Sequence, residues 1–174
     1  GQAYGIPVVA LRYFNVYGTR QALSNPYTGA VAIFSSRLLN RHRPLIYEDG
    51  LQTRDFVHVS DIVQANLLAL ASDAAAGRVY NVGTGQATSV LQVAETLSEL
   101  LDFAEQPDVT GRYRAGDIRH CVADISRIRR ELGYRPQVAF ADGLRELLDW
   151  LRTQSAEDAV ETASRELAAR GLTR

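Results

Sequence analysis

Arg54, Arg114 and Asp117 have the side chains and settings best suited to chemistry. Arg54 stands in Gly50-Leu51-Gln52-Thr53-Arg54-Asp55-Phe56, and the other two in Arg112-Tyr113-Arg114-Ala115-Gly116-Asp117. Two guanidinium groups converging on a diphosphate would form charge-assisted bonds of fixed geometry. Asp117 could then accept a bond from a sugar hydroxyl. Structural roles stand beside these. Arg54 could pair with Asp55 or Asp61, and Arg114 and Asp117 could form an ion pair or a solvated turn. Asn15 ends the apolar run Leu11-Arg12-Tyr13-Phe14. Its amide could meet a ligand oxygen, because ligands of open α/β sheets gather beyond the carboxyl ends of strands. From the local pattern alone, an Asn closing a turn with its own backbone ranks ahead.

Other groups are excluded by type or spacing. All 19 basic residues are Arg, so no lysine-based chemistry can come from this chain. Cys121 is the single cysteine. It can form neither an internal disulfide nor a thiolate zinc cluster, and it is expected to pack as a small hydrophobe. His42, His58 and His120 have no His-Glu-x-x-His spacing, so a metal site of that type is rejected. His58 lies in an apolar run and is expected to be a packed, hydrogen-bonded core residue. No serine has a nucleophile-elbow context. Gly83-Thr84-Gly85 lacks the third glycine of a dinucleotide fingerprint and is expected to be a tight turn.

Bulk properties narrow the class further. A hydrophobic share of 46% is that of an ordinary globular chain. The net charge of -1, from 19 basic and 20 acidic groups, argues against a nucleic-acid partner. No uncharged apolar stretch approaches the roughly 18 residues that mark a membrane helix. One cysteine and no visible leader make a cytoplasmic setting the default.

The elements that must position these groups alternate between strand and helix patterns, which predicts α/β architecture. Residues 6–14 read as a buried interior strand, followed by a turn at 15–18 and a surface loop over 19–29. A helix is expected over 30–40, a short strand over 44–47, a turn over 48–50 and a strand over 55–59. Ser60, Asp61 and Gln64 predict a capping box opening a helix to about residue 72. A strand over 78–82 precedes a second box at Ser89 and Gln92. Asp124 is expected to cap a helix that stops at Gly133. Further helices are expected around Leu144 to Leu151 and, weakly apolar, over 156–170.

Four segments, weighed together, resemble one family. Residues 11–20 resemble the segment after the Tyr-x-x-x-Lys pair of extended short-chain dehydrogenases acting on nucleotide sugars. Residues 50–61, 80–90 and 114–124 resemble further motifs of that family, in the same order. The likeness spans residues 1–152. It identifies the chain as similar to the carboxyl-terminal portion of a Rossmann-type extended short-chain dehydrogenase, including its small substrate-binding lobe. Residues 1–152 would interleave the last strands of the NAD-binding sheet with that lobe, and 153–174 would form a helical tail.

The resemblance implies residue roles. Asn15 would contact the nucleotide sugar near its diphosphate, and Arg54 and Arg114 would bind diphosphate oxygens. Asp117 would accept a bond from the ribose. Leu45, Ile46 and Tyr47 would line the nucleobase, while Tyr13 and Phe14 would border the nicotinamide end. Thr19 stands where the family often has Pro, and Cys121 where some epimerases have Tyr. Asn25-Pro26-Tyr27-Thr28-Gly29 with Ile46-Tyr47-Glu48-Asp49-Gly50 looks most like a dTDP-rhamnose 4-epimerase-like branch. The glycine-rich NAD loop and the Tyr-x-x-x-Lys pair would lie upstream of Gly1, so no catalytic residue is assigned here. The implied activity of an intact parent is NAD-dependent C4 epimerisation of a dTDP- or UDP-linked sugar. The alternatives are a 4,6-dehydratase and a non-catalytic structural or interaction fragment. A homodimer is implied for the parent, with no nucleic-acid or membrane partner. Residues 1–174 alone are expected neither to epimerise nor to bind NAD usefully.

Overall fold

The computed structural model describes residues 1–21, 29–153, 165, 168–171 and 173. The first half supplies strands β1 (Ala10–Tyr13), β2 (Asn15–Tyr17), β3 (Leu45–Ile46), β4 (Thr53–Arg54) and β5 (Phe56–His58), with helices α1 (Ala30–Leu39) and α2 (Val59–Leu70). The second half supplies β6 (Val79–Val82), β7 (Thr88–Ser89), α3 (Val90–Leu100), β8 (Asp108–Val109), β9 (His120–Cys121), α4 (Ser126–Leu132) and α5 (Phe140–Leu151). Three parallel pairs, β1–β6, β2–β5 and β3–β8, each enclose at least one helix in their connection. Parallel pairing requires such crossovers. Repeated βαβ units give the α/β fold that the alternating pattern predicts, of the Rossmann-like kind that the resemblance implies. The fourth sheet has order β7-β4-β9, with β4 antiparallel to β7 and parallel to β9.

The expected turn at 15–18 is instead a strand. Phe14 donates its N–H to the Val82 carbonyl at 3.1 Å, and Asn15 donates to the Asp55 carbonyl at 2.9 Å. The chain therefore stays extended and changes partner between β1 and β2. The turn pattern of Asn15 is overridden because β5 offers ladder bonds to the β-prone pair Val16 and Tyr17. The first strand is also less enclosed than its composition suggests. Ile6, Val8 and Tyr13 are exposed, and among the described residues β1 has one strand neighbour, β6.

Helix α2 begins differently from the predicted capping box. His58 is the N-cap, with Nδ1 accepting from the Ser60 N–H at 3.4 Å. Asp61 is buried and accepts the Gln137 and Val138 N–H groups at 2.8 and 3.3 Å. Gln64 accepts from the Arg135 N–H at 3.0 Å. Tertiary donors on the segment before α5 thus take the side chains that a local cap would use. The second box fares better, since Ser89 caps α3 by accepting from the Gln92 N–H at 3.0 Å. The N-cap of α4 is Ile125, without a side-chain cap bond, rather than the expected Asp124, which lies one residue earlier and accepts from the Ser126 N–H at 2.9 Å; Gly133, at φ 70°, ends the helix. The Asn25 to Thr28 stretch and most of the helix expected over 156–170 lie outside the described residues.

Two cores result. One joins α1, α3 and α5 through residues such as Phe34, Leu97, Leu144 and Leu148, with Ile46 and Phe56 from the strands. The other joins β6, α2 and α4 through Tyr80, Val82, Ile62 and Ile128, with Val57 and Tyr134. Phe56 and Val57 are consecutive in β5, and successive strand residues face opposite ways. One short strand therefore separates the cores. Among the described residues no helix is long and apolar enough to cross a membrane.

Candidate functional site

Strand β4 carries Arg54 between β7 and β9, and the segment leading into β9 carries Asp117. Arg54 Nη2 donates to Asp117 Oδ1 at 2.7 Å, and Nη1 donates to the Thr53 and Arg119 carbonyls at 2.8 and 3.2 Å. Neither Asp55 nor Asp61, the partners weighed from sequence, pairs with this guanidinium. Both carboxylates are buried and engaged elsewhere. The Arg54 side chain is 15% exposed and that of Asp117 is 41% exposed, so the pair stands at a surface with its cationic end recessed.

Arg114 belongs to the same region by a different contact. Its guanidinium lies over the Tyr47 ring, 4.9 Å from the centroid, a cation–π arrangement. Asp117 donates its N–H to the Arg114 carbonyl at 3.2 Å, closing a turn between the two residues. Leu45 and Ile46 pair with Asp108 and Val109, and Ile46 is fully buried, so Tyr47 follows directly from an anchored strand. Gln52 then donates to the Tyr47 carbonyl at 2.9 Å. Arg54, Asp117, Arg114, Tyr47, Leu45 and Ile46 thus fall on adjoining strands and turns.

Asn15, Tyr13 and Phe14 join this group less directly. Asn15 is tied to it through the Asp55 carbonyl and is in register with Phe56. The Tyr13 hydroxyl donates to Asn66 Oδ1 on α2 at 2.9 Å. Phe14 is half-buried against the second core. These two residues border the carboxyl end of β1, away from the two arginines in the bonding pattern.

Two residues not singled out from the sequence hold the region together. Asp55 is fully buried. Its Oδ1 accepts the Thr84 N–H and hydroxyl at 2.8 and 2.7 Å, and Oδ2 accepts the Gly85 and Ala123 N–H groups at 2.8 and 3.2 Å. Position 83 must be Gly, because a Cβ there would meet Asp55 Oδ2 at 2.5 Å and the Ala123 Cβ at 2.7 Å. Arg119 is the second. Its Nη1 donates to Glu48 Oε2 at 2.6 Å and to Asp49 Oδ1 at 2.8 Å, and its Nη2 donates to Asp49 Oδ2 at 2.8 Å. The hydrogen bond from Arg119, helped by the Leu51 N–H, lowers the Asp49 carboxyl to about 2. The same partners hold the Arg119 guanidinium above its ordinary range. A carboxylate set directly before the apolar pair Phe56 and Val57 was the readable signal for Asp55, since a buried charge must be bonded. Arg119 had only its spacing of two from Asp117.

NAD has a limited fit to these residues. Gly83-Thr84-Gly85 directs its Thr84 and Gly85 N–H groups onto Asp55, so it is not a free anion cradle. Exposed Tyr13 at the end of β1 can border a cofactor and no more.

Comparison with known proteins places this arrangement in a family. A family model described as GDP-mannose 4,6 dehydratase matches residues 1–147. The chain is 40% identical over 145 residues to a dTDP-L-rhamnose 4-epimerase of Burkholderia thailandensis, covering 83% of this chain and 40% of that protein. It is 36% identical over 151 residues to a dTDP-glucose 4,6-dehydratase of an Actinoplanes species, covering 87% and 46%. The crystal structure of UDP-glucose 4-epimerase with UDP-glucose from Thermotoga maritima superposes with a TM-score of 0.79 at 37% identity, covering 87% of this chain and 48% of that one. The chain therefore spans about half the length of the relatives it matches. It belongs to the NAD-dependent nucleotide-sugar epimerase/dehydratase family of extended short-chain dehydrogenases.

Proposed function

We propose that this chain is the carboxyl-terminal, substrate-holding portion of an NAD-dependent nucleotide-sugar 4-epimerase, and that it binds the nucleotide end of a dTDP- or UDP-linked sugar. The observation that carries the reading is the adjacency of two arginines, one carboxylate and one aromatic ring. Arg54 engages three of its five N–H donors in described bonds, so two remain for diphosphate oxygens. Asp117 presents a half-exposed carboxylate to a ribose hydroxyl. Tyr47, stacked with Arg114, would line the nucleobase beside a second diphosphate donor. Asn15 would meet the diphosphate from the neighbouring sheet, with Leu45 and Ile46 backing Tyr47. These contacts orient the sugar and exclude water; no residue here is assigned to proton transfer. NAD, when bound, supplies reversible hydride acceptance at C4. Tyr13 and Phe14 would border its nicotinamide end, and its principal binding residues would lie outside this chain.

A 4,6-dehydratase is the second reading, favoured by the Actinoplanes relative. Incubation of the natural full-length protein with dTDP- and UDP-sugars, followed by NMR of the products, separates the two. A C4-inverted sugar is the expected product. A 4-keto-6-deoxy product overturns the epimerase reading. No conversion and no nucleotide binding would reduce the chain to a structural or interaction module. A homodimer of the parent and a cytoplasmic setting accompany the proposal.

A further inference from the structure

We propose that Arg119 is a positioning residue for nucleotide recognition, clamping the Glu48–Asp49 turn so that Tyr47 is presented to the nucleobase. The inference rests on the nucleotide-sugar reading above and assigns a residue that the reading does not use. Besides the Arg114 contact on its ring, the backbone around Tyr47 is fixed by three described features. Strand β3 leads into it, and Gln52 Nε2 bonds its carbonyl at 2.9 Å. The third point is the turn after it. Glu48 donates its N–H to the Arg112 carbonyl at 2.6 Å and accepts from the Gly111 N–H at 3.2 Å. These backbone bonds tie the turn to the strip between β8 and Arg114. Arg119 adds a side-chain clamp, with a fork onto Asp49 and a further bond to Glu48, and Asp49 Oδ1 also accepts the Leu51 N–H at 2.9 Å.

Arg119 also reaches Arg54. Its carbonyl accepts from the Thr53 N–H at 3.0 Å and from Arg54 Nη1 at 3.2 Å. One residue thus joins the turn that carries Tyr47 to the strand that carries Arg54. The three side chains of the clamp are partly exposed. Exposed ion pairs add little to folding stability, whereas a bidentate fork adds geometry. The clamp should therefore be read in ligand binding rather than in melting temperature.

Two substitutions separate positioning from a mere field effect. Arg119→Gln removes a positive charge and Asp49→Asn removes a negative one. A field effect on an anionic ligand would move the two variants in opposite directions. Loss of the clamp would move both the same way, and only for ligands that carry a base. The natural full-length protein and both variants are titrated calorimetrically with UDP, dTDP and inorganic pyrophosphate. Nucleoside diphosphate affinity relative to pyrophosphate is expected to fall about tenfold in Arg119→Gln and about three- to tenfold in Asp49→Asn, the order expected for a charge-assisted contact. With sugar nucleotide, KM should rise while kcat holds. Asp49→Asn carries the test if Arg119→Gln does not fold. Opposite shifts, equal losses for pyrophosphate and nucleotide, or no change in either variant would overturn the proposal. A wild-type protein that binds none of the three probes would overturn the reading of the whole site, and with it this inference.

Discussion

Asp55 offers the sharpest quantitative test of the architecture. Its carboxylate is fully buried and accepts three backbone N–H groups and one hydroxyl. Alanine at this position strands the Thr84, Gly85 and Ala123 amides around a void. A buried donor left without a partner costs about 1–3 kcal/mol. The Thr84 hydroxyl can rotate, and Gly85 lies near solvent, so the lower part of that range applies. Three amides then give a loss of about 3–5 kcal/mol for Asp55→Ala. Asp55→Asn keeps the shape but turns one acceptor into a donor facing donors, which should cost about 2 kcal/mol or more. Urea denaturation followed by circular dichroism measures both, with an unchanged denaturant slope as the control for a two-state transition. Asp55→Asn within about 0.5 kcal/mol of wild type would refute the assignment, since a surface change costs that little.

Arg54→Ala and Arg114→Ala should each weaken nucleotide-sugar binding by about 2 kcal/mol, read by titration of the full-length protein; unchanged affinity in both would make them structural residues only. Asp49 should titrate at about 2 rather than its ordinary 3.8, so its contribution is complete above pH 3.8 and is lost as pH falls toward 2. Carboxyl-carbon NMR tests this, and Arg119→Gln should return the group toward 3.8. Residues 1–174 alone should self-associate and fail to bind NAD. Sedimentation and calorimetry on material of verified mass check this, and a monomer with micromolar NAD affinity would contradict it.

The α/β class was readable because strand and helix patterns alternate cleanly, and α3 was readable down to its cap because Ser89 and Gln92 act locally. What sequence could not give were the non-local bonds. Asp61 fits a capping box by spacing, yet the amides of Gln137 and Val138 take its carboxylate. Asn15 has the chemistry of a turn residue, yet β5 draws it into a ladder. Arg54 was weighed against Asp55 and Asp61, its neighbours in the chain. Its partner is Asp117, because β9 runs parallel to β4 and brings that segment alongside. Arg119 escaped notice for the same reason, since its partners are 70 and 71 residues away.

The position of Asp55 explains how the two cores act as one scaffold for the site. It follows Arg54 directly and precedes Phe56 of one core and Val57 of the other. Its carboxylate reaches the turn after β6 and the exit from β9 at Ala123, which belongs to the second core. The first core packs three helices of this chain against Ile46 of β3 and Phe56 of β5. The second core is not enclosed in the same way. Ala10 and Phe14 direct their N–H groups to Arg78 and Val82 of the β6 segment. In a parallel pair the intervening residues point to the other edge, and that places the backbone groups of Leu11 and Tyr13 on a side with no strand partner among the described residues. On the outer face of α2, Val63, Leu67 and Leu70 are exposed, Leu70 to 86%. An open strand edge beside exposed apolar residues invites pairing with another chain. Arg54, Asp117, Arg114 and Tyr47 of the proposed site are therefore held by contacts within this chain, while Tyr13 stands at the exposed end of β1 beside α2.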